Sequence, residues 1–237
     1  MFQKINLNKI LFLELETILQ NTTFDELFDT KKEFFGSKTL YYQTKDQTSA
    51  YFFERSGIWT EFIKIIYLSV YFFNFVSSHR EFRVNTFYVR KKVLLIVFKN
   101  LLETLFNKAA RFLYADNSKE FDFPYIAGKM TIQGLDLMGK LNLFIKKNWK
   151  APNLDTLHLW RFWDYKYNTS LYLMDHLLGT PLLKNDIDNS QVTSVYYEVK
   201  KIHCIADYCK KHLITISKVL LRLRFVKLLV ETEIINS

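Results

Sequence analysis

The chain has 237 residues, 49% hydrophobic, 24% charged and 17% aromatic, a balance that excludes a disordered or collagen-like polypeptide and suits one large α/β domain with its own core. Two cysteines exclude a disulfide scaffold, and the spacing of Cys204 and Cys209 fits neither a CxxC redox pair nor a zinc knuckle, so both are expected as buried thiols in a reducing compartment. The 33 Lys and Arg against 24 Asp and Glu leave a net charge of +9, which suits nucleic acid or an acidic surface. The same lysine excess also follows from AT-rich coding, to which the scarcity of glycine (6 residues) points as well.

In chain order, the apolar run Ile10, Leu11, Phe12, Leu13 reads as a buried strand. Glu14 and Glu16 follow it; acids there argue against a signal peptide, and their alternation puts both on one side of the strand. A polar stretch, 21–55, carries helix-like pieces at 24–35 and 50–55. Two strands rich in aromatic and β-branched residues are expected at 63–73 and 81–88, joined by a turn at 74–79. The longest apolar stretch, 65–76, is too short to span a bilayer, so no membrane partner is expected and a cytoplasmic location is the default. Leu94, Val97, Leu101 and Leu105 recur at helical spacing and predict a helix over 93–106. A fourth strand is expected at 111–115 and a helix at 123–132, with Pro124 where a first helical turn accepts proline.

In the second half, 142–152 reads as a basic loop holding Trp149, and 154–161 as a strand or a short helix. A helix at 170–178 is capped by Thr169 or Ser170 and stopped by Gly179. A long helical region runs from Ser190 to near Arg224, broken once around Lys200 and entered through Asn189 or Ser190 as cap. The tail 226–237 is a strand or a loop. Within the late helix Tyr208 and His212 lie four apart and share a face, with Asp207 turned away from it. Trp149, Trp160 and Trp163 are either core residues or stacking surfaces for bases, and the basic segments 90–92, 146–150 and 200–211 either track phosphates or form a solvated face.

Three blocks stand out in order: Glu14-Leu15-Glu16-Thr17, then Asn117 to Asp122 running into Phe123-Pro124-Tyr125, then Tyr208-Cys209-Lys210-Lys211-His212. They are similar to the Asp-x-Glu, Asn-x(2–3)-Phe-Asp and Tyr-x-x-x-Asp blocks of the tyrosine subclass of DEDD 3′–5′ exonucleases. Further stretches resemble a bacterial exonuclease family related to the proofreading domain of family B DNA polymerases: Ser56 to Phe62, Arg80-Glu81-Phe82, Leu154-Asp155-Thr156, Asp164-Tyr165-Lys166 and Asp186 to Val192. The resemblance covers nearly the whole chain.

The resemblance implies a ribonuclease H-like α/β fold, a mixed central sheet flanked by helices, forming a single domain over 1–237. It implies a metal-dependent 3′–5′ exonuclease acting on nucleic-acid 3′ ends, single-stranded DNA above all. Glu14, Glu16, Asp122 and His212 stand at the positions of the metal ligands, and Tyr208, Glu16 and Asp122 at those of the catalytic groups. Asn117, Lys119, Phe121, Lys210 and Lys211 are the nucleic-acid-binding candidates. The cofactor implied is a divalent ion, Mg²⁺ or Mn²⁺, because carboxylate oxygens suit hard cations.

Two positions depart from the pattern. Glu14 replaces Asp and is one methylene longer; His212 replaces Asp and exchanges an oxygen ligand for an imidazole, which favours Mn²⁺ over Mg²⁺. Both departures imply weakened metal binding and impaired cleavage. The alternatives are an inactive protein that still binds nucleic acid and a non-catalytic scaffold.

Overall fold

The computed structural model describes residues 4–44, 47–53, 56–76, 79–87, 93–106, 111–142, 153–162, 164, 166, 168–180 and 187–236. The expected basic loop, Trp149, Trp163, Tyr165, Asp186 and the segments 90–92 and 146–150 lie outside them. Six strands form one sheet: β1 (Ile10–Leu19), β2 (Ile63–Val76), β3 (His79–Phe87), β4 (Phe112–Ala115), β5 (Leu154–Asp155) and β6 (Ile234–Asn236), in the order β5-β4-β1-β2-β3-β6. β1, β2 and β3 are an antiparallel meander; β4 lies parallel to β1 and β5 parallel to β4. A three-strand meander extended by two parallel strands beyond its first member is the ribonuclease H-like connectivity. The short β6 adds to the far edge, parallel to β3, where Arg80 holds Glu233 through its Nε (3.1 Å) and Nη2 (2.8 Å).

The helices are α1 (Asp29–Thr39), α2 (Ser49–Phe53), α3 (Val93–Phe106), α4 (Asp122–Ile132), α5 (Thr156–Trp160), α6 (Leu171–Leu177), α7 (Val192–Ser194) and α8 (Ile202–Leu223). The helix expected at 24–35 is a 3-10 turn at Phe24–Glu26 followed by α1. The segment 154–161 is both of the expected things, a two-residue strand and then a helix, because the Asp155 carboxylate accepts from His158 N–H and starts α5. The break near Lys200 is a left-handed residue, φ 55°, after a π-helical turn. Its upstream entry is capped by Asp188, not by Asn189 or Ser190: the Asp188 carboxylate accepts from Ser190 N–H, and Gln191 accepts from Asp188 N–H. Cys209 is buried as expected, but Cys204, five residues earlier, is only half-buried. Among the described residues no helix is long and apolar enough to cross a membrane.

β1 is the centre of the sheet and is buried almost throughout, so its alternating side chains feed two layers. Leu11, Leu13 and Leu15 pack with Phe35, Phe53, Leu94, Phe98, Phe123 and Ile126 from α1 to α4. On the other face Ile10 and Phe12 pack with Leu171, Met174, Leu213, Ile216 and Leu220 from α6 and α8, and Ile18 packs with Ile205, Tyr208 and Cys209. Between these two apolar clusters, on the face that meets α8, lie Glu14 and Glu16.

Candidate acidic active site

Alternation places Glu14 and Glu16 on one face of β1, and β2 and α8 cover them: only 8% and 4% of their surface is exposed. Parallel pairing brings the C-terminal ends of β1, β4 and β5 to one edge, the place where α/β sheets commonly build sites. Asp116 follows the last residue of β4, Asp155 ends β5, and Asp122, 7% exposed, is the first residue of α4. Asp122 makes no capping bond; the N-cap position belongs to Phe121.

From α8, Tyr208 and His212 project together as their spacing requires, with rings stacked at 5.9 Å and 7°. His212 Nδ1 lies 2.6 Å from Glu14 Oε1. Asp207 and His203 are exposed on other faces of α8. Tyr172 of α6 approaches the same group: its ring is 6.5 Å from that of His212.

The electrostatics follow from burying carboxylates together. Burial, then Glu14, raises the Glu16 carboxyl to about 8 against the pull of His212. Burial raises Asp116 to about 7; His212 opposes, and Asp155 and Glu14 add to the rise. Asp122 is pushed well above the carboxylate range by burial, then by Glu14, Asp116 and Asp155. Burial alone would lower His212, but Glu14, with Asp116 and Glu16 beyond it, raises it to about 9. Burial, with the Glu16 charge, raises the Tyr208 phenol.

The two acids that sequence reasoning missed, Asp116 and Asp155, differ in how they are held. Asp155 Oδ2 accepts from Lys119 N–H at 2.8 Å and Ser118 Oγ at 3.2 Å, and its Oδ1 caps α5 through His158 N–H at 3.1 Å. Asp116 Oδ1 is shut off from solvent and has no hydrogen-bond partner. An Asp directly beyond an expected strand end was the available signal for Asp116, and Asp155 stood inside a block already singled out. Nothing in the sequence pointed to Tyr172.

The nucleic-acid candidates fall in two places. Asn117 turns the chain after β4 with φ 48°, a left-handed conformation that asparagine tolerates; its Oδ1 is buried and unpartnered. Lys119 is half-buried, and burial lowers its ammonium pKa although Asp155 opposes. Phe121 packs against the core and stacks on Tyr125 at 5.7 Å. Glu120 is tied to Arg161 at 2.9 Å. Lys210 and Lys211 lie partly exposed on α8, between Tyr208 and His212. Trp160 packs at the edge of the α6–α8 core.

Carboxylate oxygens are the right chemistry for a divalent cation, but the arrangement does not fit one as it stands. Among the described residues no three Asp, Glu, His or Cys side chains are disposed to hold an ion, and a Glu14 oxygen is engaged by His212.

No family model and no curated protein matches the chain. Among solved structures it is similar to the family B DNA polymerase of the hyperthermophilic archaeon Pyrobaculum calidifontis, at 10% identity and a TM-score of 0.49; the match covers 91% of this chain and 27% of the polymerase.

Proposed function

We propose that the chain is a nucleic-acid-binding protein of the DEDD 3′–5′ exonuclease type, acting at single-stranded DNA 3′ ends, with impaired Mg²⁺-dependent cleavage. The observation that carries this reading is the buried acid group itself. Glu14, Glu16, Asp116, Asp122 and Asp155 converge at the C-terminal strand edge, and the cation facing them is His212, 2.6 Å from Glu14. Burying so many carboxylates is unfavourable unless cations offset them, so the cluster is kept for chemistry rather than for stability.

Mg²⁺ or Mn²⁺ at Glu14, Glu16, Asp122 and His212 would first have to free Glu14 from the imidazole, which supports weak metal binding and altered metal preference. In this reading Tyr208, Glu16 and Asp122 are the groups that act on a bound end. An inactive protein that binds nucleic acid is the second reading, favoured by the same His212–Glu14 contact.

The test is digestion of 5′-labelled single-stranded DNA in Mg²⁺ and, separately, in Mn²⁺. Wild-type protein is expected to bind the strand and shorten it slowly from the 3′ end, with Mn²⁺ the better ion, and Asp122→Ala to bind without cutting. Glu14→Asp combined with His212→Asp is expected to raise the Mg²⁺-dependent rate. Rapid Mg²⁺-dependent cutting by wild type would overturn the impairment. No binding by folded wild type would overturn the whole reading.

A further inference from the structure

On the side of the sheet that α1 and α4 cover, α4 carries a buried lysine outside the proposed chemistry. Lys129 is 7% exposed. An ammonium has three N–H donors, and among the described residues those of Lys129 have neither a hydrogen-bond acceptor nor an ion-pair partner. Its contact is the Tyr125 ring, one turn back, whose centroid is 5.7 Å from Nζ. A ring face attracts a cation but is a weak substitute for oxygen, and the Tyr125 hydroxyl, buried without a partner, does not serve as acceptor. Burial lowers the Lys129 ammonium to about 8, with Lys31 adding to the fall and Glu61 opposing it.

Two more ammonium groups are brought to the same place by α1, where Lys31 and Lys38 lie two turns apart on one face. Lys38 Nζ meets both oxygens of Glu61, at 3.0 and 2.9 Å. Lys31 Nζ donates to Gln20 Oε1 at 2.6 Å, and Gln20 Nε2 donates to the Glu61 carbonyl at 3.1 Å. α4 closes on the same stretch: Gly128 packs so near Thr60 that a Cβ there would come within 3.0 Å of the threonine methyl. Three ammonium groups against one carboxylate leave two positive charges in excess. The Lys38–Glu61 pair is at the surface, with 36% and 55% of the side chains exposed. Such a pair contributes little, so Lys38 is readily drawn to a stronger acceptor. A phosphate dianion matches the excess charge and supplies oxygens for charge-assisted bonds to each lysine.

We propose that Lys31, Lys38 and Lys129 form a phosphate site beside Glu61, taking a phosphate dianion either free or as a monoester. Glu14 and Glu16 meet α8, whereas this site belongs to α1 and α4; it goes beyond the reading of the chain as a 3′-end-binding protein and does not rest on it.

The test is calorimetric titration of the full-length protein in EDTA with inorganic phosphate and, in a second series, with a nucleoside 5′-monophosphate. Wild type is expected to bind both. Comparable affinities assign the site to the phosphate group itself, and tighter binding of the nucleotide assigns it to the monoester. Lys129→Met is close in volume and removes the charge; it is expected to bind about 10- to 150-fold more weakly, the range set by losing one hydrogen bond to a charged group. Glu61→Gln removes the competing carboxylate and frees Lys38, and is expected to tighten binding about two- to fivefold, the range of an exposed ion pair. That gain requires a folded protein, so it reads the site even where Lys129→Met is destabilised. Lys227→Met changes net charge equally at an exposed position beyond α8 and is expected to bind as wild type does. Equal affinity in wild type and Lys129→Met, equal losses in Lys129→Met and Lys227→Met, or no phosphate binding by folded wild type would overturn the site. None of these outcomes touches 3′-end binding, which the strand-digestion experiment reads separately.

Discussion

Ile10 and Phe12 occupy the same face of β1 as Glu14 and Glu16, and the same helix, α8, covers all four; yet one half of this interface is dry and the other is acidic. In the dry half Phe12 meets Phe73, Phe82 and Tyr114 edge-on at 5.3–5.5 Å, and every ring is buried. In the acidic half, two residues further along, the carboxylates are just as buried and are opposed by the His212 imidazole. One strand carries both halves, but β4 pairs with it only from Ile10 to Phe12, and its register against β2 shifts between Glu16 and Thr17. The acidic half therefore lies where the parallel pairing has ended, and there a stretch of core is given up to groups that repel one another.

The largest way to break this comparison is Phe12→Ala, which removes a fully enclosed ring and is expected to cost about 3–5 kcal/mol in urea unfolding. His212→Ala attacks the acidic half. It strands Glu14 without its partner and is expected to cost about 3 kcal/mol at neutral pH.

The two halves also separate by pH. Glu16 and Asp116, raised to about 8 and 7 by burial, bind protons in the folded state that the unfolded chain has already released. His212, raised to about 9 by Glu14 despite burial, does the same at higher pH. All three make the folded state hold more protons than the unfolded one, so stability falls as pH rises from about 5 to about 9. Thermal melts across this range check it. Glu16→Gln is expected to flatten the lower part of the slope, whereas Phe12→Ala should shift the curve without changing its shape.

Asp155→Ala removes an acid that also caps α5, and the lost cap is expected to cost about 1–2 kcal/mol. The smallest effect is a gain. Phe225 follows α8 with φ 57° and no burial to hold it there, so Phe225→Gly is expected to stabilise by about 0.5 kcal/mol.

Local periodicity made much of this legible. The helix at 93–106 has its expected bounds, and the strands at 63–73 and 81–88 lie within a residue or three of β2 and β3. The pairs Glu14/Glu16 and Tyr208/His212 each share a face because alternation along a strand and a four-residue step on a helix are properties of the backbone. The 24–35 segment was less legible because it mixes a 3-10 turn with α1. The Asp188 cap was hidden among neighbours, Asn189 and Ser190, of equal capping ability.

What the sequence determined by itself was therefore the elements, the core stripe of β1 and the two pairs of site residues. Tertiary structure alone decided which acids face one another. Asp116 and Asp155 enter because β4 and β5 return parallel to β1 and end at the same edge, a consequence of crossover connections that no local pattern encodes. The same holds for the 2.6 Å contact between Glu14 and His212, 198 residues apart, and for Tyr172, whose ring α6 brings within 6.5 Å of that of His212.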